Sequence, residues 1–459
     1  MVKKMVSMLT MGALGFSVLM AGCGSGDSAG GAATPSPASS KPADTTKPAD
    51  PAKPAENVKI TFWDENAGPD RTPYLQEIIK RFQTKNPNIT VEYVGIPSTS
   101  AKQKYDVAIA SNDTPDIAGI NAIWISDFAA KGVLLALDPY FDKWSDKDKI
   151  TKSLIEYNRT LVPDKKLYQI PGTMYMDVFW YRSDWIKEAG LNPPTTWDDY
   201  FKDVEKLTDA SKNRFGYTMR GGGGSINQLT TVMYAYSGVE RYFDAKGKAT
   251  VNDPKNLEFL KKYVAMYKKY TPTSDITNAY KEMVATFDTG TAAIVQHNFG
   301  SYNNHVQSIG EGKFAATILP KSSTGKTIVA PSANGYGIFK NSKHPQETWE
   351  FFKFILSSES QAYWNEKIGQ MPINADALQS DYVKKSQHIQ DGAKVMADKD
   401  TVVLDVPIYL PDYSSILAQT LEPNFQKVMS GSMTSEAFLD GWASAMEKAK
   451  AEYDKSIKK

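Results

Sequence analysis

Cysteine is nearly absent: the 459 residues contain one, Cys23. A lone thiol excludes an internal disulfide and has no second cysteine with which to build a metal or redox site. Histidine is scarce as well. His297, His305, His344 and His388 are the whole set, and none stands at an H-E-x-x-H or Cys/His spacing, which argues against a zinc or hydrolytic centre. Charge of one sign is missing too. The 53 Lys and Arg oppose 52 Asp and Glu for a net +1, so neither nucleic acid nor an acidic polymer is an expected partner. A neutral ligand fits that balance, and no cofactor or metal is expected.

What is present begins with an address. Lys3 and Lys4 precede an apolar run over residues 8–20, then Ala21 and Gly22 lead to Cys23, the order of a secretory leader. The run is too short to span a bilayer. Met20-Ala21-Gly22-Cys23 resembles a bacterial lipobox, with Met where Leu is commonest. The expectation is a signal peptide over residues 1–22, removed ahead of a lipidated Cys23, whose two acyl chains hold the protein at the outer face of the membrane. Residues 23–56 then read as a tether, rich in Gly, Ala, Pro and Lys, with Lys41-Pro42-Ala43-Asp44 repeated at Lys47-Pro48-Ala49-Asp50. Such a composition builds no core. Pro-rich chain extends about 3.1 Å per residue, so the folded part is expected to stand tens of ångströms off the membrane.

Beyond the tether, a mean hydropathy of −0.42 and 41% hydrophobic residues suit a soluble chain of about two folding units. Val58-Lys59-Ile60-Thr61-Phe62-Trp63 alternates like a strand. Thr72 and Pro73 open a helix carrying Leu75, Ile78, Ile79 and Phe82 on one face, stopped at Asn86-Pro87. A strand at residues 89–94, a helix near 104–111 and a strand at 116–120 follow, and β-α-β-α-β order implies a parallel, doubly wound sheet. Ligands of such sheets sit beyond the carboxyl ends of the strands. Trp63, Asp64, Glu65 and Asn66 would therefore face a crevice together with Asn121 and Trp124. A second unit begins near Met174, with a strand at residues 177–181, a short helix over 183–190, and a helix capped by Thr196 with Asp199 at its third position. The last helix, from Thr434, sets Phe438, Trp442, Met446 and Tyr453 along one side.

Several segments together resemble one family. Leu167-Tyr168-Gln169-Ile170-Pro171, Phe179-Trp180-Tyr181-Arg182 and Ala189-Gly190-Leu191-Asn192-Pro193-Pro194-Thr195-Thr196-Trp197 are similar to the signature of family 1 extracellular solute-binding proteins, the maltose-binding-like group. So are Phe287-Asp288-Thr289-Gly290-Thr291-Ala292-Ala293-Ile294, the Trp349-Glu350-Phe351-Phe352-Lys353-Phe354 helix after Ile338, and Gln370-Met371-Pro372-Ile373. Arg182-Ser183 departs from the Asn-Lys commoner there. The resemblance covers essentially all of 57–459 and implies a periplasmic-binding-protein-like α/β fold, two doubly wound lobes joined by several hinge crossings. Lobe one would comprise residues 57–172 and 331–373, lobe two 173–330 and 374–459. It further implies a monomeric captor that closes on a sugar or oligosaccharide and delivers it to the permease subunits of an ABC importer.

Sugars present flat C–H faces and rings of hydroxyls, so their sites combine aromatic platforms with acids and amides. Trp63, Trp124, Tyr175 and Tyr336 are the stacking candidates, against the competing reading that they are core. Asp64, Glu65, Asn66, Asn121 and Asp177 are the polar ones, against plain surface solvation. Arg220, followed by four glycines and Ser225, opens a helix where backbone amides could meet a ligand, or is a mobile surface turn. Without a following Lys-Ser/Thr it is no phosphate loop. Family-like positions add Asn298, Asn334 and Tyr409.

A secreted glycoside hydrolase is the rival reading. It needs an acid and a carboxylate facing each other across the scissile bond, and no pattern among the 52 acids singles out such a pair. A structural adhesin, the third reading, predicts no small ligand. Ser323-x-x-Lys326 lacks the companion motifs of a penicillin-binding protein. The acids Asp142, Asp146 and Asp148 lack the Gly and terminal Glu of a calcium loop and read as solvated surface.

Overall fold

A computed structural model describes residues 56–457; Cys23 and nearly all of the tether lie outside them. The strands of this region are β1 (Val58–Asp64), β2 (Ile89–Gly95), β3 (Ile117–Ile120), β4 (Ile170–Pro171), β5 (Asp177–Tyr181), β6 (Phe215–Thr218), β7 (Ala292–Asn298), β8 (Ala315–Ile318), β9 (Thr327–Val329), β10 (Gly335–Ile338) and β11 (Thr401–Val403). Two sheets organise them into two α/β lobes, a five-stranded one in the order β2-β1-β3-β10-β4 and a four-stranded one in the order β6-β7-β5-β8. The small β11-β9 pair stands apart.

In the first sheet, the alternation of β1 buries Val58, Ile60, Phe62 and Asp64 on one face and leaves Lys59, Thr61 and Trp63 on the other. Helix Thr72–Lys85 lays Leu75, Ile78, Ile79 and Phe82 onto the sheet, with Pro73 in its first turn, where the missing N–H is no loss. Asn86 ends it by donating its backbone N–H to the Phe82 carbonyl. β1, β2 and β3 are parallel, as expected of two β-α-β units. β10 runs antiparallel to both β3 and β4. It arrives from the other lobe rather than through a crossover helix, so nothing constrains it to be parallel.

The second sheet is mixed. β6 and β7 are parallel, while β5 is antiparallel to both β7 and β8. Phe179 on β5 stacks on Tyr200 at 4.6 Å and 3°, anchoring helix Trp197–Lys206, whose Asp199 N–H is capped by Thr196 Oγ1 at 3.1 Å. The C-terminal helix Ser435–Ser456 buries Trp442, whose indole N–H donates to Tyr242 at 2.7 Å.

Three chain segments cross between the lobes side by side. Met174 N–H donates to the Met371 carbonyl at 3.1 Å, Tyr175 and Ser332 exchange backbone bonds of 2.8 and 3.1 Å, and Gly172 N–H reaches the Asn334 carbonyl at 2.9 Å. Backbone hydrogen bonds thus hold the three crossings beside one another.

Candidate functional site

A cleft of about 1400 Å³ opens where the carboxyl ends of β1 and β3 face β5 and β7. Seven of the sequence candidates line it: Asn66, Asn121, Tyr175, Asp177, Arg220, Asn298 and Asn334. Tyr175 and Asn334 come from the crossings, Asn66 and Asn121 from the first lobe, and the others from the second. Asn121 and Asn298 also cap the short turns that follow their strands, each accepting a backbone N–H two residues on.

The remaining candidates lie elsewhere. Trp63 sits on the outer face of β1 against Tyr105, 5.6 Å between ring centroids, with Lys104 Nζ 4.8 Å above it. Trp124 is buried between Tyr105 and Phe128. Tyr336 is buried against Phe62 and Phe352. Tyr409 packs on Tyr453, and its carbonyl accepts from Ser126 Oγ. For Trp63 and Tyr336 strand alternation turns the ring away from the cleft, whereas Trp124 ends a short helical turn after β3 and Tyr409 lies outside any strand.

Asp64 and Glu65 are also buried, behind the cleft wall. Asp64 accepts from Tyr93 Oη at 2.7 Å and from Asn66 N–H at 3.1 Å, and burial still holds its carboxyl above the usual range. Glu65 accepts a long 3.5 Å bond from Asn334 Nδ2 and is helped by its own backbone N–H. Burial, and after it the neighbouring Asp64, push its carboxyl up to about 7, with Arg71 opposing. β1 ends at Asp64, which lets both acids turn to the same side of the chain.

The glycine-rich loop after Arg220 is not a free turn. Gly221 and Gly222 are buried, donating to the carbonyls of Asp275 and Asn278 at 2.8 and 2.9 Å. Gln426 Nε2 and the Glu422 carboxylate hold it from the other side, through the Gly221 carbonyl and Gly224 N–H. Arg220 Nε donates to the Gly223 carbonyl at 2.6 Å, which fixes the root of the side chain. Burial opposes the charge of Arg220, and Asp177 and Glu422 balance it. Asp177 is likewise raised by burial, with Gln296 Nε2 donating to it at 2.9 Å and Arg220 opposing.

Sequence reading missed several lining residues: Arg71, Tyr157, Gln228, Tyr280, His297 and Gln370. Four of these present polar atoms that find no partner among the described residues: Arg71 Nε, Gln228 Oε1, His297 Nδ1 and Gln370 Oε1. Buried polar groups left unpaired are costly, and these four atoms belong to side chains that line the cleft wall. Burial, then the Arg220 charge, push His297 down to about 3, which keeps its imidazole neutral, stacked on Tyr280 at 5.8 Å and 7°. Adjacency to Thr72-Pro73 was the one signal for Arg71, and to Met371-Pro372 for Gln370. Among the described residues no group of three His, Cys, Asp or Glu side chains is disposed to hold a metal, and no helix is long and apolar enough to cross a membrane.

The family model described as bacterial extracellular solute-binding protein matches residues 68–362. The arabinooligosaccharide-binding protein of Bacillus subtilis is 26% identical over 379 residues, covering 77% of this chain and 83% of that one. A binding protein of Brucella abortus is 24% identical over 317 residues, 68% of this chain and 75% of its own. Among solved structures, the fold matches an ABC substrate-binding protein of Listeria monocytogenes in complex with cycloalternan. Its TM-score is 0.74 at 23% identity, covering 86% of this chain and all of that one.

Proposed function

Because the chain belongs to the bacterial extracellular solute-binding proteins, we propose that it captures a neutral oligosaccharide in the interlobe cleft and hands it, chemically unchanged, to the permease of an ABC importer. The observation that carries this is the pair of arginines, one from each lobe, that line the cleft. Arg71 is faced by Asp64 and Glu65, and Arg220 by Asp177 and Glu422. Each cation already has carboxyl groups beside it, so a net anion gains less than it would from a bare arginine, while hydroxyls gain strong charge-assisted hydrogen bonds. Amides supply matching donors and acceptors, among them Asn66, Asn121, Gln228, Asn298 and Gln370, and tyrosines supply the stacking faces.

Size supports more than one sugar unit. Pockets for drug-sized ligands run about 300–1,000 Å³, and this cleft is about 1400 Å³. Sugar specificity among relatives points the same way, as the Bacillus subtilis protein is named for arabinooligosaccharides. Lobes over 57–172 with 331–373 and 173–330 with 374–459, closing about the three crossings, complete the reading. Cys23 is the proposed acylation site, and intact-mass measurement of the membrane fraction reads it directly.

A thermal-shift screen of mono- and oligosaccharides tests the capture. Saturation at about 100 times the dissociation constant stabilises the folded state by about 2.7 kcal/mol, a clear rise in Tm. Chromatography of the recovered glycan should find it intact; cleavage would instead favour a hydrolase, and no shift with any glycan would remove the sugar reading.

A further inference from the structure

Behind the cleft wall lies a second cavity of about 20 Å³, lined by Asp64 and Glu65. Arg71, Tyr175 and Asn334 line both cavities and form the partition between them. Asp64 has two hydrogen-bond donors of its own. Glu65 has the long bond from Asn334 and its own backbone N–H, and its other oxygen rests on Gly119, where any Cβ would overlap it. Its remaining compensation is the charge of Arg71, whose Nε is itself without a partner. The acids and the cleft therefore draw on one guanidinium.

We propose that Glu65 is a positioning residue: from behind the wall it sets how far the Arg71 guanidinium extends into the cleft, and capture of the solute is accompanied by uptake of a proton at the Asp64–Glu65 pair. This rests on the cleft being the sugar site. A solute that engages Arg71 draws positive charge away from the acids, and by covering the wall it removes water from their surroundings. Both effects disfavour the second negative charge.

The surroundings of the pair fix the sign. Facing it are Asp70 and Arg71 from the turn into helix Thr72–Lys85, Tyr93 from β2, Tyr105 from helix Ser98–Ser111, Tyr175 from the crossing, and Tyr336 from β10. Arg71 is the one cation in that set, so its displacement is felt in full. Burial and the Asp64 charge already place the free carboxyl of Glu65 at about 7, so a modest further rise crosses neutral pH. Because the complex holds the proton to higher pH than the free protein, affinity is greatest below about pH 7 and declines as pH rises through the value in the complex. A further rise of one unit corresponds to about tenfold in affinity.

Isothermal titration calorimetry of the mature protein with arabinotriose and maltotriose, near pH 7.5 in phosphate and in Tris, reads the proton count from the difference in heats. We expect proton uptake, and an affinity falling about sixfold between about pH 6.5 and about pH 8.5 for a rise of about one unit. Glu65→Gln should still bind but lose both effects, and Glu65→Asp should retain them. Equal heats in the two buffers with a flat affinity profile in the wild type would overturn the proposal, with no variant needed. Absence of heat with both glycans, in a protein whose fold is intact by circular dichroism, would instead count against the sugar reading beneath it, and the proposal falls with that reading.

Discussion

The guanidinium of Arg71 lies over the indole of Trp364, its carbon 4.7 Å from the ring centroid. Trp364 is buried on helix Ser358–Ile368, so the ring is a fixed floor that sets the plane of the cation and aims its N–H donors. A cation–π contact of this kind contributes about 0.5–2 kcal/mol. Trp364→Leu keeps an apolar side chain but removes the face. We expect glycan affinity to fall about two- to thirtyfold by calorimetry, in a variant that remains folded by circular dichroism. Unchanged affinity would show that the stack serves packing alone.

Gly221 makes the opposite kind of demand, for space. A Cβ there would stand 2.5 Å from the carbonyl oxygens of both Asp275 and Ile276, and backbone cannot yield as a flexible side chain can. Gly221→Ala should cost about 1–3 kcal/mol as overpacking, seen as a lower urea midpoint. Glycan affinity should weaken as well, because the loop roots Arg220. Gly223→Ala, two residues on, meets nothing within 4 Å and should behave nearly as wild type. Equal effects of the two would refute a packing cause.

These two cases separate what the sequence discloses from what it hides. β1 and helix Thr72–Lys85 were legible because their signals are local: alternation from Val58 to Phe62, proline in the first helical turn, and Asn86 at the end. The loop after Arg220 was open to two readings because its glycines answer to backbone at residues 275–278, more than fifty positions away. Strand-end logic located the crevice but not the direction of each side chain, so Trp63 and Trp124 were nominated although both turn to Tyr105. Arg71, Gln228, His297 and Gln370 carry no spacing signal. What distinguishes them is their place on the cleft wall, visible only once the chain is folded.

Asp177 supplies a direct test of the second lobe's wall. It lines the cleft, accepts from Gln296 at 2.9 Å and balances Arg220. Asp177→Asn keeps its shape and removes its charge. Hydrogen bonds to charged groups contribute about 1.5–3 kcal/mol, so glycan affinity should fall about ten- to a hundredfold by calorimetry. Glu422→Gln alters the other acid near Arg220, which holds Gly224 N–H. It should lower Tm more than affinity. A larger loss of affinity from Glu422→Gln than from Asp177→Asn would reverse the assignment.

His388 ties stability to pH with a definite sign. Its ring stacks on Tyr302 at 4.6 Å and lies 5.2 Å from that of Trp180. Burial pushes its pKa down to about 4, against about 6.5 in an unfolded chain. A base depressed on folding contributes stability that is fully present above the unfolded value and is lost as pH falls from about 6.5 toward about 4. At about 1.4 kcal/mol per unit the loss approaches about 3 kcal/mol. Glu65 and Asp275, both pushed up to about 7 chiefly by burial, slope the other way over much of the same range, so the whole protein's curve is flattened. The comparison must therefore be made between wild type and His388→Phe, which keeps the aromatic ring and cannot take up a proton. Urea denaturation near pH 7 and near pH 4.5 should show the variant gaining on wild type as acid is added. Parallel curves would mean that the imidazole accommodates its proton without leaving the fold.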